Sequence, residues 1–387
     1  MMVLHIANYI PGYHRGSGGA EQACLNTIKA LYAHGVENVV ATVKPNKQPQ
    51  EKEFDFYPIT TSEDLIGWKL SFIKHFFYFD FVSFFSLRKI LKKTKPDIVH
   101  LYNFDLISLS AISAAKSLKI PLVFSVYDYW IFSKDKGITF NDGWLRRKIF
   151  SHFLKKVDIM IALSNHSKIL LAEQGIKENK IEIVPLFMEK SEKTEKTASG
   201  KSLIVFLGWI QPRKGLHILV KAMPEIVEKI PEARLCILGM KEETDYLDGI
   251  IDFIKENNLD KNIIWLRNTT KINNPAEYYD KMEKAAIVAV PEQWPNMSPV
   301  IIAESLAIGK IVVASRLGGI SDIIEDGVSG LLADYDSPSD FAEKIIKAMS
   351  DEKLSAGLSA GARKRHEYLF DNEKNVFKII KIYENII

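Results

Sequence analysis

Short apolar runs, rich in β-branched residues, recur along this 387-residue chain and alternate with amphipathic stretches of helical period. Runs of this kind are typical of parallel strands that are buried on both faces and joined by helices. The first half contains VLHIAN, NVVATV, DIVHLY, PLVFSVY, DIMIALS and IEIVP, and the second contains SLIVFLG, ARLCILG, NIIWL, AIVAVPE, KIVVAS and GLLA. The pattern predicts two doubly wound α/β domains.

The length of the chain also favours two domains, because 387 residues exceed what one hydrophobic core usually supports. A polar segment without hydrophobic periodicity, EKSEKTEKTASGK over 189–201, is predicted to be the linker. We therefore expect an N-terminal domain over 1–188 and a C-terminal domain over 202–369, with a cleft between them. The final helix, within 370–387, is too apolar to be left exposed and is expected to pack back on the N-terminal domain.

Charge and cysteine content limit the classes of partner and the compartment. The formal net charge of +3 argues against nucleic acid as the main partner. The basic excess lies in residues 1–190, which hold 25 Lys and Arg against 18 Asp and Glu. With no basic leader before the first strand and only Cys24 and Cys236, we expect a cytoplasmic protein whose thiols are core residues.

Aromatic and basic residues concentrate in two segments, 68–95 and 144–156. The most apolar part, FIKHFFYFDFVSFF, is too short and too often interrupted by charge to span a bilayer. The composition is compatible with peripheral contact with an anionic membrane surface at the inner face of the cell membrane. The alternative is a core helix with a solvated basic end.

The segment PEQWPNMSPVIIAESLAIGKIVVASRLGG, residues 291–319, runs from the end of a strand into a helix. Ser298 is predicted as its N-cap, Pro299 as its first helical residue and Gly309 as its stop. A helix N-terminus offers N–H groups and partial positive charge to a phosphate. Glu304, just beyond the first turn, can accept hydrogen bonds from a sugar diol, so the segment predicts a nucleotide site.

Two loops carry further phosphate-binding features. In FLGWIQPRKG a strand ends at Gly208, and Arg213 and Lys214 precede a glycine that opens a helix. Two cations beside a glycine turn can neutralise a diphosphate, although an exposed Arg-Lys pair is the alternative. The turn GSGGAE, residues 16–21, is expected to precede a helix from Gln22; it resembles a dinucleotide fingerprint loosely, and tight βα turns need glycine for backbone reasons as well.

Together, GSGGAEQ, DIVHLYN, VYDYW, LGWIQPRKG and NMSPVIIAESLAIGKIVVASRLGGISDIIEDGVSGLL resemble, in order and along nearly the whole chain, the family 4 glycosyltransferases of the GT-B fold. The resemblance implies two Rossmann-like domains facing a cleft. It implies a nucleoside-diphosphate sugar of UDP or GDP type as co-substrate in the C-terminal domain, a glycan or lipid-linked acceptor in the N-terminal domain, and retention of configuration. No cofactor is expected. Since no Asp-x-Asp run or ligand-spaced cluster stands out, no catalytic metal is expected either.

The resemblance also assigns roles to individual residues. Glu304 matches the glutamate that binds the ribose, Lys214 the lysine that contacts the donor phosphates, and Asp128 the aspartate of a His-Asp pair. The glycine loop is matched by Gly18 and Gly19, and the turn after a later strand by Gly318 and Gly319. The chain departs from the family at Asn296, where a glutamate is usual, at Tyr127, where a histidine is usual, and at Trp209, where an arginine is frequent.

Four further residues are predicted from their positions alone. His14 and Arg15 precede the glycine loop and could meet an acceptor or a donor phosphate. His100 ends a strand at the edge where such sheets bind ligands, and Arg267 follows the strand IIWL near the expected nucleobase. The alternatives are a solvated histidine, a satisfied packing residue and a surface arginine, respectively.

The complete prediction has three groups of residues. Arg213, Lys214 and Asp128 are predicted to act in catalysis. The predicted donor contacts are Gly18, Gly19, Gly208, Arg267, Asn296, Met297, Ser298, Pro299, Val300 and Glu304. The predicted acceptor contacts are His14, Arg15, His100 and Tyr127.

The leading hypothesis is an enzyme that transfers a sugar to a cell-envelope glycan or its lipid-linked precursor. A nucleotide-sugar epimerase or a phosphorylase of the same fold would use the same diphosphate site. A non-catalytic GT-B subunit that binds a sugar or a partner enzyme is a third hypothesis. It is motivated by Asn296, Trp209 and Tyr127, which stand where the family has polar catalytic groups.

Overall fold

A computed structural model gives the fold of the chain and describes residues 1–14, 18–45, 54–66, 79–102, 107, 109–127, 144–188, 202–239, 244–267, 269 and 274–387. The chain divides into two compact units. Unit 1 comprises Met1–Glu189 and Asp371–Ile387, and unit 2 comprises Lys190–Phe370. The predicted linker, 189–201, lies outside the described residues.

Unit 1 is built on a parallel sheet. Its described strands are β1 (Met2–Ala7), β2 (Glu37–Val43), β3 (Asp55–Ile59), β4 (Ile98–Leu101), β5 (Leu122–Ser125), β6 (Ile159–Ala162) and β7 (Ile181–Ile183). Their order is β3-β2-β1-β4-β5-β6-β7, and every neighbouring pair is parallel. The described helices of its first segment are α1 (Gly19–Ala33), α2 (Ser62–Ile66), α3 (Phe81–Thr94), α4 (Ser110–Ser117), α5 (Trp144–Leu154) and α6 (Asn165–Glu173).

Unit 2 repeats this architecture. Its described strands are β8 (Leu203–Leu207), β9 (Arg234–Gly239), β10 (Ile263–Arg267), β11 (Ile287–Val290), β12 (Ile311–Ser315) and β13 (Leu331–Ala333), in the parallel order β10-β9-β8-β11-β12-β13. Its described helices are α7 (Leu216–Lys229), α8 (Thr244–Glu256), α9 (Pro275–Lys284), α10 (Val300–Ala307), α11 (Ile320–Ile323), α12 (Pro338–Ser350) and α13 (Glu352–Leu369). The predicted fold class, two Rossmann-like parallel-sheet domains, is confirmed.

In both sheets the direction in which successive strands are added reverses next to the first strand. In unit 1 the chain crosses from β3 back to β4, which pairs with β1 in the register Val3↔Ile98. In unit 2 it crosses from β10 back to β11, which pairs with β8 in the register Ile287↔Ile204. Helices leave the sheet in opposite directions at such a switch point and open a crevice at the carboxyl ends of the two strands, where ligands of these folds bind.

One strand escaped the sequence analysis. β3 is an edge strand in which only Ile59 is fully buried, and it contains Pro58, which cannot donate a ladder hydrogen bond. Proline is tolerated there because one side of an edge strand has no partner. The strand therefore lacks the continuous apolar run that identified the central strands.

The last helix, α14 (Asn372–Glu384), belongs to unit 1 although it follows unit 2 in the chain. Val376, Ile379 and Tyr383 are at most 1% exposed and lie in one buried cluster with Val3 and Leu31. The prediction that the C-terminal helix packs on the N-terminal domain is confirmed. Cys24 and Cys236 are both buried, as expected.

Within the described ranges, no helix combines the length and the apolar character that crossing a membrane requires. Part of the aromatic segment 68–95, namely residues 68–78, is outside those ranges.

Candidate functional site

The loops at the switch point of unit 2 are tied together by main-chain contacts. The loop after β8 forms a short 3-10 turn over Pro212–Lys214, and Gly215 follows with φ +72°. The N–H of Gln293, just after β11, donates to the carbonyl oxygen of Arg213 over 2.8 Å. A Cβ at Gly215 would stand 1.6 Å from the carbonyl oxygen of Pro291. A side chain at this glycine is therefore excluded by both its conformation and its surroundings.

The two predicted phosphate-binding cations differ in environment. Arg213 is exposed, and its Nε donates to Gln211 Oε1 over 3.0 Å. The Lys214 side chain is only 17% exposed, and its Nζ forms an ion pair with Glu292 Oε1. The loop thus presents one exposed cation and one that is held in place by a carboxylate.

Glu292, which the sequence analysis did not select, is the most buried charged group at this site. It is 1% exposed, and Oε1 also accepts from Asn296 Nδ2 over 3.4 Å. Oε2 is buried and has no hydrogen-bond donor among the described residues. An acidic residue two positions after an apolar strand is the signal in the sequence that could have indicated it, since strand ends at a switch point face the ligand crevice.

The helix that carries Glu304 begins one residue later than predicted. Pro299, not Ser298, is the N-cap of α10, and Val300 is its first residue. Ser298 is buried in the preceding loop, and α10 has no side-chain cap. The uncapped N-terminus leaves backbone donors available to an anion.

The prediction that Gly309 stops α10 is confirmed. Gly309 has φ +70°, its N–H donates to Leu306, and the N–H of Lys310 donates to Ser305. This pair of hydrogen bonds is a Schellman motif, which satisfies the last carbonyl groups of the helix.

Glu304 is half-buried and accepts a hydrogen bond from the hydroxyl of Tyr278 over 2.9 Å. Burial, together with the neighbouring Glu304, raises the pKa of Tyr278 well above its ordinary value, so the phenol stays protonated and donates. Tyr278 lies on α9, and only the tertiary structure brings it to the carboxylate. Its hydroxyl therefore holds one oxygen of the Glu304 carboxylate in place.

The loop that contains Asn296 is held against the glycine turn after β12. The N–H of Gly319 donates to the Asn296 carbonyl over 2.7 Å, and Asn296 Oδ1 accepts from the Ser298 N–H over 3.2 Å. Gly318 has φ +59°, and a Cβ there would stand 2.8 Å from Pro295 Cα. Met297 is buried in the loop. Asn296 therefore shapes the loop through both its main chain and its side chain.

Sequence models of two families match the chain. Glycosyl transferases group 1 matches residues 187–365, and Glycosyltransferase Family 4 matches residues 17–191. The two matches together extend over nearly the whole chain, in the order that the motifs indicated. The chain belongs to the family 4 glycosyltransferases.

Individual relatives agree with this assignment. An uncharacterised glycosyltransferase of Methanocaldococcus jannaschii is 30% identical over 182 residues, and the alignment spans about half of either chain, 47% of this one and 48% of the relative. The GalNAc-alpha-(1->4)-GalNAc-alpha-(1->3)-diNAcBac-PP-undecaprenol alpha-1,4-N-acetyl-D-galactosaminyltransferase of Campylobacter jejuni is 24% identical and aligns over 90% of both chains. The crystal structure of Anabaena Alr3699/HepE in complex with UDP has the same fold, with a TM-score of 0.77, 17% identity and complete coverage of both chains.

In unit 1 of this glycosyltransferase, the helix that follows the glycine loop begins earlier than predicted. α1 begins at Gly19 rather than Gln22, so Gly18 is the N-cap and both glycines belong to the helix start. The Gly18 N–H donates to Glu21 Oε2 over 2.9 Å, as in a capping box. Gly18 and Gly19 are exposed, so backbone at this helix start is open to a ligand.

His14 has a structural role, which corrects its assignment as an acceptor contact. The ring is 4% exposed. Its Nδ1 accepts from the Ile10 N–H over 3.0 Å, and Nε2 donates to the Val43 carbonyl over 3.0 Å. Both ring nitrogens are therefore occupied by main-chain groups.

His100 is likewise a packing residue, which corrects its assignment. It is fully buried, with Nδ1 2.5 Å from Tyr383 Oη and Nε2 2.8 Å from Ser125 Oγ. Burial lowers its pKa well below the ordinary value, so the ring is neutral. Its strand alternates sides, and this side chain faces α14 rather than the carboxyl edge.

The remaining predicted residues stand as follows. Tyr127 is half-buried, its hydroxyl lies 3.2 Å from Thr27 Oγ1, and burial raises its pKa. Arg15 and Asp128 lie outside the described residues, and of Arg267 only the backbone at the end of β10 is described. Among the residues whose placement is given, no group of three or more His, Cys, Asp or Glu could hold a metal ion.

Proposed function

We propose that this glycosyltransferase moves a sugar from a nucleoside-diphosphate sugar, of UDP or GDP type, to a glycan or lipid-linked acceptor in cell-envelope polysaccharide synthesis. The observation that carries the proposal is that Lys214 is connected through Glu292 and Asn296 to the loop that leads into α10. This helix starts without a side-chain cap and carries Glu304, which is bound by Tyr278. The UDP in the HepE structure and the undecaprenol-linked acceptor in the name of the Campylobacter relative support it.

The reaction breaks the bond between the anomeric carbon and the terminal phosphate oxygen. Negative charge grows on the diphosphate and positive charge on the sugar, so fixed donors at the phosphates stabilise the transition state more than the ground state. In our proposal Arg213, Lys214 and the N–H groups of α10 are those donors, and Glu304 binds the ribose. The acceptor hydroxyl attacks from the face that the phosphate leaves and gives its proton to the departing oxygen, so configuration is retained.

The first experiment is a thermal-shift screen of nucleoside diphosphates and nucleotide sugars, because a ligand that binds only the folded state raises the melting temperature. The selected donor is then incubated with lipid-linked and free glycan acceptors, with and without EDTA. We expect full transfer in EDTA and an unchanged anomeric configuration by NMR. A strict requirement for a divalent ion, or an inverted product, would contradict the assigned phosphate contacts or the assigned mechanism.

The same assay separates the competing functions. A non-catalytic subunit would bind the donor without transfer or hydrolysis, and an epimerase would change the sugar without an acceptor. The Lys214 loop and Glu304 are compatible with all three functions, whereas the relatives named as glycosyltransferases favour transfer.

We also propose that α3 contacts an anionic membrane surface at the inner face of the cell membrane. Phe81 and Phe85 are 64% and 65% exposed, and Lys89 and Lys92 continue the same helix face. Such a stripe combines apolar insertion with attraction to acidic headgroups. The other side of α3 packs into unit 1 through Leu87 and Leu91, so membrane contact would leave the fold unchanged.

Flotation with vesicles that contain anionic lipid tests this surface. The double variant Phe81→Ser and Phe85→Ser should lose most of the vesicle-bound fraction, whereas Phe377→Ser, which removes an equally exposed ring elsewhere in unit 1, should not. No flotation of the wild-type protein with any anionic vesicle would exclude the membrane surface and leave the donor site untouched.

A further inference from the structure

The ion pair between Lys214 and Glu292 places a buried negative charge in contact with the lysine that is predicted to bind the donor phosphates. Glu292 is 1% exposed, and its Oε1 contacts both Lys214 and Asn296. Its Oε2 has no donor among the described residues. The charge of this carboxylate is therefore balanced chiefly by Lys214, and little of it is screened by water.

A carboxylate in this position opposes the function that its lysine is proposed to have. A phosphate oxygen that contacts Lys214 Nζ is two hydrogen-bond lengths, about 6 Å, from Glu292 at most. Since the lysine and glutamate charges cancel, the pair adds orientation to the phosphate site but little net attraction. Glu292 thus lowers the affinity of the site for a diphosphate. The size of this decrease depends on the charge of the bound phosphate group.

The substrate and the product differ by one charge at that point. In the sugar nucleotide the terminal phosphate is esterified to the anomeric carbon and carries a single negative charge. On transfer, the C–O bond breaks and its electron pair stays on the phosphate oxygen. The acceptor proton is lost to solvent at neutral pH, because a terminal phosphate has a second pKa of about 6. The product therefore carries one more negative charge than the donor at this point, and Glu292 repels it more strongly.

We propose that Glu292 is a positioning residue that fixes Lys214 and, by its charge, favours release of the nucleoside diphosphate product over release of the donor. The inference rests on the proposed function, since it requires a diphosphate at Lys214.

The experiment compares Glu292→Gln with the wild-type protein by calorimetry, with UDP against UDP-glucose and GDP against GDP-mannose. Glutamine keeps the shape and removes the charge. We expect the Kd ratio of diphosphate to sugar nucleotide to fall by about 10-fold or more, as for one unit charge at about 6 Å. Product inhibition should strengthen in parallel. Asp158→Asn, in the Lys116 ion pair of unit 1, is the matched control and should leave the ratio unchanged.

A ratio that is the same in Glu292→Gln and wild type overturns this inference alone, since a purely structural role would alter both affinities together. Failure of the wild-type protein to bind any of the four nucleotides overturns the proposed function and this inference with it. Should Glu292→Gln not fold, the comparison is made between Lys214→Gln and the double variant Lys214→Gln/Glu292→Gln. The same shift in ratio is expected there, and its absence refutes the proposal.

Discussion

At the scale of single residues, the proposed phosphate contact of Lys214 and its buried ion pair with Glu292 predict that one substitution changes both turnover and stability. Glu292 is almost completely buried, and Lys214 is its charged partner. Removing one member of a buried pair leaves an uncompensated charge, which costs more than the pair itself contributes. A loss of activity in a lysine variant therefore has two separable causes.

We expect Lys214→Ala to lower turnover by about 100-fold, because it removes a donor to the leaving diphosphate. It should also lower the free energy of unfolding of unit 2 by about 3 kcal/mol, because Glu292 remains buried without its partner. Urea denaturation and steady-state kinetics on the same samples measure the two effects. A variant of normal rate would refute the phosphate contact.

The double variant Lys214→Ala/Glu292→Gln should regain most of the lost stability and none of the lost turnover. This outcome separates the charge imbalance from the missing phosphate contact, as in a double-mutant cycle. Recovery of both quantities would mean that Lys214 acts only through the fold.

At the scale of secondary-structure elements, α14 shows how a distant segment completes a core. Its buried face joins a cluster built on β1 and α1, although α14 follows all of unit 2 in the chain. The apolar spacing of this helix indicated that it would be buried. Which sheet it covers depends on a contact between residues more than 300 positions apart.

Ile379 is only 1% exposed, so Ile379→Ala would leave a cavity in the core. We expect it to lower the free energy of unfolding of unit 1 by about 2–5 kcal/mol. Lys381→Ala, on the exposed face of the same helix, should change stability by less than about 0.5 kcal/mol. Hydrogen exchange in β1 peptides measures both. Equal protection in the two variants would show that α14 does not stabilise the sheet.

At the scale of the whole molecule, the two units differ in how many histidines they bury. In unit 1, His5 contacts Tyr102 and Asn38, and His100 contacts Tyr383 and Ser125, all inside the sheet core. In unit 2 the pKa values of His217 and His366 are also lowered by burial, but both rings are half-buried. Unit 1 should therefore respond more strongly to acid.

Burial lowers the pKa of His5 from 6.5 to about 4, so between these values the unfolded chain binds a proton that the folded chain does not. The stabilisation is complete above pH 6.5 and is lost as the pH falls towards 4. From pH 7 to pH 5 we expect His5 alone to cost unit 1 about 2 kcal/mol, with His100 acting in the same direction.

Hydrogen exchange at pH 7 and pH 5, corrected for intrinsic rates, measures this loss of stability. The protection of peptides from β1 and β4 in unit 1 is compared with that of peptides from β8 and β11 in unit 2. The strands of unit 1 should lose more protection, and His5→Gln should flatten the dependence on pH. Equal losses in both units would contradict the assignment of neutral buried histidines.

The sequence alone determined the fold class, because short β-branched apolar runs that alternate with amphipathic helical stretches are typical of buried parallel strands. It also located the Lys214 loop, Glu304 and the stop at Gly309, because glycine and helix-end residues have local conformational requirements. Only the tertiary structure decided that His14 and His100 face main-chain and core groups, that Tyr278 orients Glu304, and that Glu292 holds Lys214. These outcomes depend on burial and on contacts between segments far apart in the chain, which local patterns do not contain.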